Sequence, residues 1–165
     1  VRKMLPSPRD VKTYDLKPEM SANAVTETVI EGLASGSYDL IVVNLANCDM
    51  VGHTGVVSAG ITAVETVDAC LGRMLQALRD NGGDAVILAD HGNADQMINY
   101  EDGTPHTAHT LHPVPFIIVP GASNPRAAAL PTTLREGGAL CDVAPTVAKL
   151  MGVPQPSEMD GVPLF

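Results

Sequence analysis

A short apolar segment, Asp84 to Ala89, runs without interruption into Asp90-His91-Gly92-Asn93-Ala94-Asp95. An acid and an imidazole therefore stand side by side where a buried strand is expected to stop. In open α/β sheets, ligands bind beyond the carboxyl ends of the strands. A carboxylate beside a histidine at such an end can hold a divalent transition metal. Two further runs repeat the theme: Asn44-Leu45-Ala46-Asn47-Cys48-Asp49-Met50-Val51-Gly52-His53, and His106-Thr107-Ala108-His109-Thr110.

The rest of the chain alternates apolar runs with helical patterns. Ser21 is placed to cap a helix reaching about Ser35, with Val25, Val29, Ile30 and Leu33 on one face. A short strand is expected around Val11 to Tyr14, and the continuous apolar run Leu40 to Leu45 suits a central parallel strand. From Ser58 to Asp80, Ile61, Val64, Val67, Leu71, Met74, Leu75 and Leu78 recur at spacings of three and four. Asn81-Gly82-Gly83 ends that helix. Ala85 to Ala89 is the next strand, then a polar loop containing Asp102-Gly103, then a strand from Val114 to Val119 with Pro113 and Pro115 at its entry.

Residues 121–139 form a Pro- and Gly-punctuated connection. Asp142 is expected to cap a last helix to Leu150, with Pro145 in its first turn and Gly152 at its end. The pattern predicts an α/β fold, a mainly parallel sheet flanked by helices. Three or four strands make a thin sheet, so the domain is expected to be incomplete here. Val1 in place of an initiator Met points the same way.

Composition narrows the functional classes. The 165 residues are 45% hydrophobic and 18% charged, enough to bury a core. The formal net charge is −9, with no basic face for the phosphates of a nucleic acid. An acidic chain that handles a phosphate must use metals or a few placed cations. No run is long and apolar enough to span a bilayer, and no signal peptide opens the sequence. Three cysteines without metal-finger spacing fit a reducing cytoplasm. Cys48, beside Asp49, is read as a small buried thiol.

The residues with chemistry are few. Asp49 and His53 are four apart, a spacing that brings both side chains to one side of a helical turn, and Gly52 between them permits close backbone approach. Asp90 and His91 follow one strand and His109 precedes another. Two carboxylates and three imidazoles near one sheet edge suit Mn²⁺ or Zn²⁺. Two such ions can clamp a phosphoryl group and activate a hydroxyl, which makes this a metallophosphatase-type constellation. Beside that reading stands a plainer one, of surface ion pairs and a polar loop holding His106, His109 and His112; it must hold in three places at once.

Longer runs carry a resemblance. Pro6-Ser7-Pro8, the stretch Thr13-Tyr14-Asp15-Leu16-Lys17-Pro18-Glu19-Met20-Ser21-Ala22, Asn47 to Gly55, Ala89 to Met97, Thr107-Ala108-His109-Thr110, Pro113-Val114-Pro115-Phe116, Pro145-Thr146-Val147 and Glu158-Met159-Asp160-Gly161 resemble the C-terminal part of the cofactor-independent (2,3-bisphosphoglycerate-independent) phosphoglycerate mutases of the alkaline phosphatase superfamily. The resemblance covers almost the whole chain. It implies an alkaline-phosphatase-like fold and a cytoplasmic enzyme of glycolysis and gluconeogenesis, monomeric when complete. The implied activity interconverts 3-phosphoglycerate and 2-phosphoglycerate through a phosphoserine intermediate, with two Mn²⁺ ions (Zn²⁺, Co²⁺ or Mg²⁺ as substitutes). It further implies that Asp49, His53 and His109 hold one ion and that Asp90 and His91 hold the other. The Ala-His-Thr context favours His109, with His106 as the alternative ligand, and His112 is left to the loop.

The departures from the family pattern are as informative. The nucleophilic serine, an aspartate near the family's N-terminus and the cation-bearing substrate domain have no counterpart in these 165 residues. Residues 1–165 are therefore expected to be the C-terminal segment of the metal-binding phosphatase domain, partnered by the missing N-terminal part of the same protein and inactive alone. Two other readings are a related phosphatase, phosphodiesterase or phosphopentomutase, and a non-catalytic metal-binding module. The Tyr14 to Ala22 run and Asn93-Ala94-Asp95 argue against the first.

Overall fold

The computed structural model describes residues 1–121, 130 and 133–165. Its helices are α1 (Ala22–Ala34), α2 (Asn47–Gly52), α3 (Val57–Asn81) and α4 (Val143–Met151), and its strands are β1 (Ala85–Leu88) and β2 (Phe116–Val119). Single 3-10 turns at Tyr14–Leu16 and Leu140–Asp142 complete the regular structure among the described residues.

α3 is the spine. It packs against α1 on one side and α2 on the other. Gly82, with φ 79°, ends it in the left-handed conformation that glycine adopts without strain. Its buried positions are Ala59, Gly60, Ala63, Cys70 and Met74. Small residues in the N-terminal half let α2 lie close, so that Val51 is fully buried against Ala59 and Ala63. Ile61 and Val64, expected on the buried face, are instead 56% and 48% exposed. In the C-terminal half Met74 is buried as expected, and Cys70, outside the expected stripe, joins it in closing on Ala22, Val29, Val43 and Leu45.

Ser21 does not cap α1 with its side chain. Its hydroxyl donates to the carbonyl of Pro6 at 2.7 Å and so ties down the N-terminal segment. Around Val11 the chain bends rather than forming a strand. The run Leu40 to Leu45 is also not a strand among the described residues. In that run Val43 and Leu45 pack on the helical core, while Leu40 and Val42 are 53% and 86% exposed.

β1 and β2 pair antiparallel, Ala85 opposite Val119 and Leu88 opposite Phe116. The mainly parallel arrangement expected from the sequence is therefore corrected for the described strands. A parallel pair needs a crossover, usually a helix, and none lies between these strands. The chain instead leaves β1, doubles back through two isolated antiparallel bridges, Gly92 to Thr110 and Ile98 to Pro105, and returns as β2. This excursion sets the turn after β1 beside the segment before β2. Met97, in the excursion, covers Gly60 of α3 so closely that a Cβ there would come within 2.4 Å of its sulfur.

α4 begins after Asp142 and ends at Gly152, as predicted. Asp142 does not cap it with its side chain. The carboxylate gathers the C-terminal segment instead, accepting from the backbone N–H of Ala139 at 2.9 Å and of Val162 at 2.8 Å and from the Arg135 guanidinium at 2.7 Å. These partners, the backbone N–H of Val162 foremost, hold its pKa down at about 2. Most of the expected 121–139 connection, including Ser123 and Arg126, lies outside the described residues.

Candidate metal centre

α2 is six residues long, and its carbonyl ladder places Asp49 and His53 on one side. The Nε2 of His53 lies 3.2 Å from Asp49 Oδ1. His109, brought in by the returning limb of the excursion, sets its Nε2 2.9 Å from the same oxygen and 3.2 Å from His53 Nε2. Three donor atoms thus form a triangle with edges of 2.9, 3.2 and 3.2 Å. Donors bound about 2.0–2.1 Å from a single ion are spaced in this range, and two imidazole nitrogens with one carboxylate oxygen suit a first-row divalent ion.

His91 extends the cluster. Its ring stacks on that of His109 with centroids 3.7 Å apart. Its Nε2 is 4.0 Å from Asp49 Oδ1 and 3.9 Å from Asp90 Oδ1, so it stands between the triangle and Asp90. Asp90 itself is largely exposed, on the rim of an open cleft of about 460 Å³ whose wall also includes His91, Thr110, His112 and Arg135. The cation on that wall is already engaged: Arg135 holds Asp142 and the carbonyl of Val162.

Partners behind the cluster fix its geometry. The His53 Nδ1 bonds the carbonyl of Thr107 at 2.7 Å. Asn93 Nδ2 donates to Asp49 Oδ1 at 2.8 Å. Burial pushes the Asp49 carboxyl up, but the Asn93 amide and the three facing imidazoles outweigh it and hold the group below the usual carboxylate range. Gly52 permits this approach, because a Cβ there would fall 2.3 Å from Asn93 Oδ1.

The five residues singled out from sequence, Asp49, His53, Asp90, His91 and His109, all lie in this one region. His106 does not join the triangle; its Nδ1 bonds the carbonyl of Gln96 at 3.0 Å within the excursion. Burial raises the pKa of Cys48, as expected of an unreactive packed thiol. Arg73 and Arg79 point to separate partners, Glu27 of α1 and Gln76 of the same helix. Sequence reasoning missed Asn93, Asp95 and Thr110 and left His112 to the loop, whereas its Nδ1 lies 2.6 Å from Asp95 Oδ2. The available signal was the recurrence of polar side chains at every second position after β1, at His91, Asn93 and Asp95.

The chain is similar to known phosphoglycerate mutases. The chain is 57% identical over 162 residues to the 2,3-bisphosphoglycerate-independent phosphoglycerate mutase of Rhodopirellula baltica, covering 98% of this chain and 29% of that one. It is 54% identical to the Ectopseudomonas mendocina enzyme of the same name, covering 97% and 30%. The chain thus spans about 30% of the length of these curated relatives. Among solved structures, phosphoglycerate mutase from Leishmania mexicana, crystallised at low cobalt concentration, superposes with a TM-score of 0.83 at 35% identity, over 99% of this chain and 31% of that one. The likeness bears out an α/β fold of the alkaline-phosphatase-like type. The metalloenzyme superfamily matches residues 2–155, nearly end to end and across every limb of the cluster, and the chain belongs to that superfamily.

Proposed function

We propose that this chain is the metal-ligand-bearing C-terminal segment of a cofactor-independent phosphoglycerate mutase that interconverts 3-phosphoglycerate and 2-phosphoglycerate in the cytoplasm. The observation that carries the reading is the Asp49–His53–His109 triangle. These residues hold one ion, with Mn²⁺ the first choice and Co²⁺, Zn²⁺ or Mg²⁺ as alternatives. Asp90 and His91 contribute to a second, whose remaining ligands come from elsewhere in a longer protein, as does the serine that carries the phosphoryl group between the two half-reactions. Such ions supply charge neutralisation for a transferring phosphoryl group and a lowered pKa for an attacking hydroxyl.

The chain's own residues set the conditions for that chemistry. Asp49 presents a carboxylate kept ionised by Asn93 and the imidazoles. His53 presents Nε2 while Thr107 engages Nδ1. His91 and His109, stacked face to face, join the two ligand groups. The cleft beside Asp90 gives an anionic substrate access from one side.

The test is reconstitution. Purified chain with Mn²⁺ is expected to give no mutase turnover in an enolase-coupled assay, and to gain turnover when the remaining part of a close relative is added as a separate polypeptide. Turnover of sugar phosphates without mutase activity in the reconstituted pair would overturn the assignment in favour of a related phosphatase.

A further inference from the structure

The turn that carries Asp90 and His91 carries two more polar side chains, and both reach the elements that hold the other ligands. Asn93 is only 4% exposed. Its Nδ2 donates to Asp49 Oδ1 at 2.8 Å and to the Asp49 carbonyl at 3.1 Å. Both targets are acceptors, so only the amide NH₂ can bridge them, and the orientation of the amide is forced. The cost is visible on its other side: Asn93 Oδ1 is buried without a hydrogen-bond partner among the described residues. An unpaired buried amide oxygen is unfavourable, and an apolar side chain would avoid it. The nitrogen is what the position requires.

Asp95 does the same for the returning limb. Its carboxylate accepts from the Thr110 hydroxyl at 2.9 Å and pairs with His112 Nδ1 at 2.6 Å. The Thr110 N–H donates to the Gly92 carbonyl at 2.9 Å. Gly92 makes the contact sterically feasible, since a Cβ there would lie 2.1 Å from Thr110 Oγ1 and 2.7 Å from Asp95 Oδ1. Thr110 directly follows His109. One turn therefore grips α2 at Asp49 through Asn93 and grips the His109 segment through Asp95.

We propose that Asn93 and Asp95 are positioning residues that hold the Asp49–His53–His109 ligand set in register with the turn bearing Asp90 and His91, so that the two ligand groups are built as one unit. This rests on the metal-centre reading given under Proposed function. Neither residue touches the ion; each acts through a ligand or its neighbour. Loss of such outer partners typically costs about 10–100-fold in metal affinity.

The test uses the 165-residue chain and Mn²⁺ or Co²⁺ alone. Mn²⁺ affinity is measured by electron paramagnetic resonance of the free ion, and ligand geometry by the visible absorption of bound Co²⁺. Asn93→Asp, nearly isosteric but without the donor, is expected to weaken Mn²⁺ about 10–100-fold and to alter the Co²⁺ spectrum. Thr110→Val is expected to do likewise, and Thr110→Ser, which keeps the hydroxyl, to restore wild-type affinity and spectrum. Circular dichroism identifies any variant that fails to fold, and the Thr110 pair then decides. Wild-type affinity and spectrum in folded Asn93→Asp and Thr110→Val, with binding abolished in His109→Ala, would overturn the positioning roles and leave the metal reading intact. A wild-type chain that binds neither ion overturns both.

Discussion

The ring of His53 is anchored through Nδ1 to the carbonyl of Thr107, 2.7 Å away and 54 residues further along the chain. A carbonyl only accepts, so Nδ1 carries a proton, and in the neutral ring Nε2 is the nitrogen left to ligate, facing Asp49 and His109. The tautomer needed for ligation is thereby set by a backbone group of the same excursion that delivers His109, the arrangement common behind metal-bound histidines.

His53→Ala is expected to reduce Mn²⁺ affinity by more than the ~10–100-fold typical of losing an outer partner, because it removes a donor of the triangle. His106→Ala, whose ring is engaged by Gln96, is expected to leave affinity unchanged. Equilibrium dialysis on the two variants checks both, and equal loss in the two would contradict the ligand assignment.

Binding is also expected to weaken steadily on acidification, since protons compete with the ion for the two imidazoles and the carboxylate of the triangle. Mn²⁺ titrations across a pH series read this directly. A pH-independent affinity would mean that the histidines are not ligands.

Gly52→Ala inserts a methyl group 2.3 Å from Asn93 Oδ1. Overpacking of this kind costs about 1–3 kcal/mol, and here it also pushes Asn93 away from Asp49. Urea unfolding should register the lost stability, and Mn²⁺ binding a lost affinity.

Asp142 has its pKa lowered to about 2 by the backbone N–H groups of Val162 and Ala139 and by Arg135. Its ordinary value is about 3.9. A depressed carboxyl contributes stability above the unfolded value and loses it as pH falls toward the folded one. The stabilisation should thus be complete above about pH 4 and vanish as pH falls through about 2. Asp142→Asn is expected to lower the Tm at neutral pH and to flatten its acid dependence in that window. An unchanged Tm profile would show that the C-terminal segment does not depend on this carboxylate.

On α3, Ala63→Leu is expected to cost about 1–3 kcal/mol, because Ala63 is fully buried. Ile61→Ser, at a position 56% exposed, is expected to stay within about 0.5 kcal/mol. Chemical denaturation of the pair distinguishes a buried stripe of small residues from one of large apolar ones.

That pair marks a boundary of what the sequence made legible. Periodicity found α3 and its glycine stop, and the Asp/His runs named five residues that the fold brings into one region, because strand ends and i,i+4 spacing are local properties. It did not reveal which face of α3 is buried near Ala59 and Ala63, since close helix packing selects small residues over the more apolar Ile61 and Val64. Nor did it reveal that β1 and β2 are antiparallel, because a strand's apolar run does not encode its partner. The contacts of Asn93 and Asp95 are equally hidden from local patterns, as their targets lie 44 and 15 residues away in sequence.

The excursion between β1 and β2 also has a thermodynamic side. It spans residues 89–115, closed on itself by two isolated bridges and held to α2 and α3 by side-chain contacts of Asn93 and Met97, and it meets α2 across a long loop whose closure costs entropy. A ligand that binds only the closed arrangement stabilises it by mass action. An ion shared by α2 and the excursion would thus act as a clasp, raising the protection of amides around Gly92 and Thr110 against hydrogen exchange far more than those in the middle of α3. The same clasp makes metal loss a local opening event, felt first in the excursion rather than along α3.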